Sequence, residues 1–257
     1  MRDGPLPKWL EESVRVRVSP LVVGIGLCAL LAGIPVNAKT GEEADTAELL
    51  IALVKIGRTI VSEHQTLIND AAKGNKGFTD DFVGRKIVEQ FLAETRIDLS
   101  HPSGHSQHES LLAMLQSERE VILDAQPAIN KQGIAFKGFI PSLFARKVGQ
   151  KFFAKTGIKV KLTGLDSRYP GNQPDDFEAE VLRLFADPRH PKGQRYAKVT
   201  VVNGKPAMRV MSPEYADAAC LVCHGSPQGE QDMMGMKKEG WMQGGPAGAI
   251  SVVMPIR

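Results

Sequence analysis

Cys220-Leu221-Val222-Cys223-His224 sets two thiols three positions apart with an imidazole directly after the second. That pattern is the attachment sequence of a c-type haem. Two sulfurs at this spacing can each form a thioether to one edge of a single porphyrin while the next residue reaches the iron as proximal ligand. Two other chemistries use a CxxC pair, a reversible disulfide and half of a zinc site. A zinc site needs further ligands, and the only other cysteine, Cys28, lies in an apolar stretch near the N-terminus. A thioredoxin-type pair opens a helix after a buried strand, whereas Ala216 to Ala219, following Pro213, reads as a short loop of small residues.

Thioether attachment belongs to export, and the N-terminus has that character. Arg2, Lys8, Arg15 and Arg17 precede 21 residues, Val18 to Ala38, that carry no charge, and Val36-Asn37-Ala38 is a small-x-small cleavage candidate. Residues 1–38 are therefore expected to be a signal peptide and the protein periplasmic or otherwise exported. The alternative is an uncleaved anchor facing the periplasm, although Pro20 and Pro35 shorten the best helical part. Removing residues 1–38 takes away four basic and three acidic side chains and leaves a net charge of +2, so no nucleic-acid partner is implied. Past Ala38 no other apolar run approaches membrane length, which leaves the N-terminal segment as the one membrane tether to consider.

The middle of the chain repeats itself at an offset of 61 residues. Arg58, Gln65, Ile68, Asn69, Lys76-Gly77-Phe78, Arg85-Lys86, Phe91, Ala93, Thr95 and Ile97 recur as Arg119, Gln126, Ile129, Asn130, Lys137-Gly138-Phe139, Arg146-Lys147, Phe152, Ala154, Thr156 and Ile158. Each copy reads as helix, glycine-containing loop, helix, the second helices following from Phe82 and Leu143. Neither pair can bury its apolar faces alone, so the two are expected to pack as an antiparallel bundle. That makes the repeat a scaffold, with a conformational relay between membrane and cofactor domain as the functional alternative.

Beyond Gly157 the period changes from helix to strand. Ile158 to Leu162 alternates, Pro174-Asp175-Asp176 opens an amphipathic helix through Phe177, Val181, Leu182 and Phe185, and Asn203-Gly204 joins two strands, Tyr196 to Val202 and Pro206 to Met211. Ala249 to Met254 makes a last strand. The fold class is thus α+β: duplicated antiparallel helical pairs, then an antiparallel sheet domain with the CxxCH motif in a loop before the final strand. The organisation is 1–38 signal or anchor, 39–125 a helical region with the first copy, and 126–257 the second copy leading into the sheet.

Several further stretches carry a resemblance. Lys137-Gly138-Phe139-Ile140-Pro141, Arg168-Tyr169-Pro170-Gly171-Asn172-Gln173-Pro174-Asp175 with Phe177-Glu178, Pro213-Glu214-Tyr215, Cys220 to Gly225, Glu239-Gly240-Trp241 and Gly248-Ala249-Ile250-Ser251 together resemble the c-type haem PAS-like domains. That is a family of exported proteins, found alone or ahead of signalling modules and mostly without an assigned function. The resemblance covers residues 137–257 and implies a PAS-like sheet holding one covalent haem c in a redox- or ligand-sensing role. Some relatives place a cysteine at the sixth iron position from the helix before the sheet. Here no cysteine remains outside the motif after export.

Another residue must then serve, or none. His64 is the first candidate, because the second copy has Ala125 in its place and the repeat's packing does not demand an imidazole. Met233, Met234, Met236 and Met242, which follow the motif, are its rivals, although methionines more often fill gaps. His101, His105 and His108 sit with Pro102, Ser103 and Gly104 in what reads as a solvated loop, as does His190 between Pro188 and Pro191. Arg168 could fork onto a haem propionate, the alternative being a surface ion pair. No Ser-His-Asp set, phosphate-cradling loop or HExxH is present, and Asp175-Asp176 suits a helix start better than acid–base work, so catalysis is not indicated. The reading is an exported monohaem sensor or binding module, with a periplasmic electron carrier as the alternative. Its redox or signalling partner is not identified.

Overall fold

Thr79, Asp80 and Asp81 start a helix by simple chemistry: the Thr79 hydroxyl accepts the Phe82 N–H at 3.2 Å, and two carboxylates sit on the positive end of the helix dipole. In this computed structural model, which describes residues 36–101 and 106–256, that helix is the third of seven. The order is α1 (Val36–Glu63), α2 (Gln65–Ile68), α3 (Asp80–Thr95), α4 (Ser106–Ile129), α5 (Pro141–Thr156), β1 (Lys159–Thr163), α6 (Asp176–Ala186), β2 (Tyr196–Val202), β3 (Lys205–Tyr215), α7 (Ala218–His224) and β4 (Pro246–Pro255). The expected signal or anchor lies almost wholly outside the described residues. Within them no helix is long and apolar enough to cross a membrane.

The 61-residue offset explains which polar residues recur. Gln65 donates from Nε2 to the Phe139 carbonyl at 3.0 Å, and Gln126 donates to the Phe78 carbonyl at 2.8 Å. Asn69 accepts the Lys137 N–H at 2.9 Å, and Asn130 accepts the Lys76 N–H at 3.1 Å. Each helix end thus closes the other's loop, and the contacts interchange under the offset. The apolar faces follow the same rule: Val83, Ile87 and Phe91 are buried on α3, and Phe144, Val148 and Phe152 on α5. The ends differ by one side chain. Gly157 takes the left-handed conformation that terminates α5, and Arg96 takes it for α3 despite its Cβ.

The sheet is antiparallel throughout, in the order β1-β4-β3-β2. Alternation divides its faces: Met208, Val210, Ile250 and Val252 join the helices in one core, while Met211 and Ala249 meet Val181, Leu182 and Phe185 of α6 on the other side. α6 begins with a capping box between Asp175 and Glu178. The buried Glu178 carboxylate is neutralised by Lys161 at 2.8 Å and Arg209 at 3.4 Å. Helix α5 lies so close on β1 that a Cβ at Gly149 would collide with the Val160 carbonyl oxygen. α4 runs unbroken through residues 125–126, and helices and sheet share the larger core.

One expectation needs correction here. His108 is not solvated; it is buried on α4, with no hydrogen-bond partner at Nε2 among the described residues. It falls on the same helical stripe as Leu111 and Ala125, where packing outweighs the polarity of a histidine-rich segment. His101 is exposed and pairs with Asp98 at 2.7 Å, and His105 lies outside the described residues.

Between α1 and α4 the offset is broken. Gly57 corresponds to Glu118, whose carboxyl is fully buried, has no hydrogen-bond partner on either oxygen, and sits 2.5 Å from where a Cβ on Gly57 would stand. Burial raises the Glu118 pKa well above the ordinary carboxylate range. Below the unfolded value both states are protonated and nothing depends on pH. Above it the unfolded chain ionises while the folded one keeps its proton, so stability falls with rising pH by up to about 1.4 kcal/mol per unit until the folded pKa is reached. Glu118→Gln removes that slope. Thermal melts at several pH values should show the variant level with the parent near pH 4 and increasingly more stable toward neutrality.

Candidate functional site

The peptide that carries the two cysteines is helical, contrary to the loop expected from its small residues. Asp217 accepts the Cys220 N–H on Oδ1 at 2.9 Å and so caps α7, which ends one residue short of Gly225. Pro213 does not interrupt the approach. It lies within β3, paired with Ala249 of β4 and beyond the last residue that β2 pairs, so no partner needs its missing N–H. The pair therefore does open a helix after a buried strand, and placement no longer argues against a thioredoxin-type disulfide. Acidity does. Burial pushes both thiols up, whereas a redox-active pair needs a thiol pushed down.

Cys220 and Cys223 are one turn apart on α7, half-buried and unbridged. His224, the last residue of α7, is held from three directions. Its Nδ1 donates to Glu239 Oε2 at 2.7 Å. Its ring stacks on Trp241 with centroids 4.2 Å apart and planes 11° from parallel. Its carbonyl accepts the Trp241 N–H at 2.8 Å. With Nδ1 engaged, Nε2 is the nitrogen that can face a metal. Among the described residues no three His, Cys, Asp or Glu side chains cluster as a metal site.

Behind His224 stands an ion cluster. Arg168 forks onto Glu239, with Nε at 2.5 Å from Oε1 and Nη2 at 2.8 Å from Oε2, and its Nη1 donates to Asp232 at 2.6 Å. Nη2 also reaches the carbonyls of Cys223 at 2.9 Å and Lys237 at 3.0 Å. Burial raises the Glu239 and Asp232 pKa values, and the hydrogen bonds from Arg168 and their other partners outweigh it, so both carboxyls lie below their ordinary values. Asp232 in turn accepts the N–H groups of Met234 at 2.8 Å and Met236 at 3.0 Å, which folds residues 231–237 into a small turn. Arg168 thus spends its fork on the protein's own carboxylates.

The facing wall comes from α1. Arg58 Nη1 donates to Glu214 at 2.6 Å and Lys55 Nζ lies 2.8 Å from the same carboxylate. Arg58 Nε is buried without a partner, and the arginine's charge reaches Asp217 and Cys220. Sequence reasoning missed this residue's role. Its only signal in the sequence is recurrence as Arg119, which pairs instead with Asp80 and Asp81, and recurrence by itself reads as scaffold. Large apolar side chains stand exposed around the motif: Val222, Leu165, Met233, Met234, Met236 and Met242.

His64 lies elsewhere, between α1 and α2 and about 9 Å beyond Arg58 along the α1 axis at 1.5 Å per residue. Its Nδ1 donates to the Ile60 carbonyl at 2.7 Å, and its ring packs against Phe78 at 5.2 Å and Phe82 at 5.4 Å. Those contacts belong to the helical bundle. His190 is in a loop as expected, its Nε2 bonded to the Gln194 carbonyl and its ring against Phe185.

Arg168→Met would leave the fully buried Asp232 and the nearly buried Glu239 without their cation. A loss of about 3 kcal/mol is expected for breaking such a buried pair, measured by urea unfolding, with Asp217→Ala costing about 1 kcal/mol through its lost cap.

Comparison with known proteins gives a family. The family model described as Tll0287-like matches residues 42–255, which is most of the chain. A solved structure titled as the crystal structure of the cyanobacterial heme-protein Tll0287 is 17% identical, with 60% of this chain and 97% of that chain covered at a TM-score of 0.41. No curated protein matches. The resemblance carried by the residue motifs from Lys137 onward therefore agrees with the family found.

Proposed function

We propose that this chain, which belongs to the Tll0287-like family, is an exported protein that holds one covalent haem c and serves as a redox or small-ligand sensor. The observation that carries the reading is the α7 arrangement: two unbridged cysteines one turn apart, and a terminal histidine whose Nδ1 is already committed to Glu239.

The residues present fit the group. Cys220 and Cys223 would form the two thioethers, and His224 would present Nε2 to the iron. Arg58, whose charge reaches Cys220 and whose Nε is unpartnered although Nη1 holds Glu214, has more hydrogen-bonding capacity left for a propionate than Arg168, whose guanidinium is occupied. The exposed apolar residues of the surrounding loop give a porphyrin face something to cover. When bound, a haem supplies one-electron chemistry and a position for a small ligand. For the sixth position, Met233, Met234 and Met236 lie on the loop that also carries Asp232 and Glu239, whereas His64 is packed against Phe78 and Phe82 in the bundle.

The chain's own contribution is to hold the imidazole, bury the thiols and join the site to the rest of the molecule. Helix α1 contacts Glu214 beside the motif and packs against α3, α4 and α5, so a change at the cofactor has a stiff route into the bundle. The reciprocal Gln65 and Gln126 bonds support reading the bundle as a duplicated helical pair, and the resemblance to the haem PAS-like domains is what reads the antiparallel sheet as PAS-like. A second reading, a periplasmic electron carrier, draws on the exposed Met233, Met242 and Val222, which leave the motif open to a docking redox protein. Export with cleavage after Ala38, or a tether through that segment, belongs to the same proposal.

Mature protein purified from a strain with thioether-forming machinery should retain one haem's added mass after denaturation, and Cys220→Ser/Cys223→Ser should abolish it. Parent protein without that mass sinks the proposal. Optical spectra of both oxidation states with and without carbon monoxide separate the readings: an iron that admits the gas supports ligand sensing, and one that never does leaves redox roles.

A further inference from the structure

The Arg168 cluster holds more acid than base. Arg168 contributes one positive charge against the two carboxylates of Glu239 and Asp232, so the group behind His224 carries a net negative charge in a partly dry environment. Asp232 spends itself on Arg168 and on two loop N–H groups. Glu239 points an oxygen at the imidazole: Oε2 lies 2.7 Å from His224 Nδ1 while also accepting from Arg168. An ionised carboxylate has no proton to give, so Nδ1 must be the donor and the lone pair must sit on Nε2.

Orientation alone does not need this bond. The Trp241 stack and the Trp241 N–H to the His224 carbonyl already fix the ring and the backbone it hangs from. A neutral acceptor at position 239 would satisfy Nδ1 equally well. What a carboxylate adds is charge: a negative acceptor draws the Nδ1 proton toward itself and makes the opposite nitrogen a stronger donor. Stronger donation and nearby negative charge both favour the more positive oxidation state of a metal bound there.

Resting on the haem reading above, we propose that Glu239 is a positioning residue for His224 that holds the reduction potential of the bound iron low. Arg168 moderates the effect by sharing the same carboxylate, which ties the potential to the loop that carries Met234 and Met236. The site is thereby poised for a role in which the ferric form is the resting state and reduction is the event that is reported.

The test uses mature holoprotein, parent and Glu239→Gln, in a spectroelectrochemical titration with soluble mediators. Glu239→Gln keeps the side chain's size and an acceptor oxygen while removing the charge. Covalent haem should remain attached, and at a fixed ambient potential the ratio of oxidised to reduced iron should fall by tenfold or more, a rise of about 59 mV for one electron. A haem-loaded variant whose ratio stays within threefold of the parent overturns the proposal. Glu239→Asp, which keeps the charge but withdraws it from Nδ1, should give a smaller rise in the same direction, and it stands in if the glutamine variant does not mature. Failure of both to mature would make Glu239 a folding requirement and would also overturn it. Absence of haem from the parent itself would instead count against the function from which this inference starts.

Discussion

Arg168 fastens the site together. A single guanidinium links the segment after β1 to two carboxylates on the loop beyond α7 and to the carbonyl of Cys223 within the motif itself. Without it, two acidic groups would face each other in a poorly hydrated space, and the loop would have no reason to lie against the helix. Everything that orients His224, whether through Glu239 or Trp241, sits on that loop. The geometry is strong because it is bidentate and because both acids also receive other hydrogen bonds.

Helix α1 supplies the second constraint. It packs against three helices and against the two inner strands, which is why its buried positions cover more than a single stripe. Beside the motif, its Lys55 and Arg58 reach Glu214 of the sheet. The bundle and the sheet that leads into the CxxCH motif therefore share a rigid element, and neither is a separate domain appended to the other.

Much of this was legible from residue order. β1, the β2–β3 hairpin and β4 follow from alternation and from Asn203-Gly204, and α6 from Pro174-Asp175-Asp176 and the spacing of Phe177, Val181, Leu182 and Phe185. The motif's helix was not legible, because its start depends on the Asp217 side chain, and Pro213 fits a strand only where β2 has already ended. His108 was misread because a run of histidines and glycine looks solvated until the stripe from α4 is seen in its packed setting. The Arg168–Glu239–His224 chain joins residues far apart in sequence, and no local pattern announces it. In the sequence Glu239 is legible only as a member of a motif shared with a family and Arg168 only as a fork for a propionate or a surface ion pair, without the bonds that connect them to the imidazole.

The contact between Gly57 and Glu118 bears on how the chain could evolve or misassemble. The two residues hold corresponding places under the offset, yet one offers a hollow and the other fills it. Two copies of the first half meeting face to face would leave a void at the centre, and two copies of the second half would press carboxyl against carboxyl. Self-association of either half is disfavoured from both directions. A hydrogen atom in one helix and an acid in the other make the pairing heterotypic, so each helix complements the other at this contact where it would not complement itself.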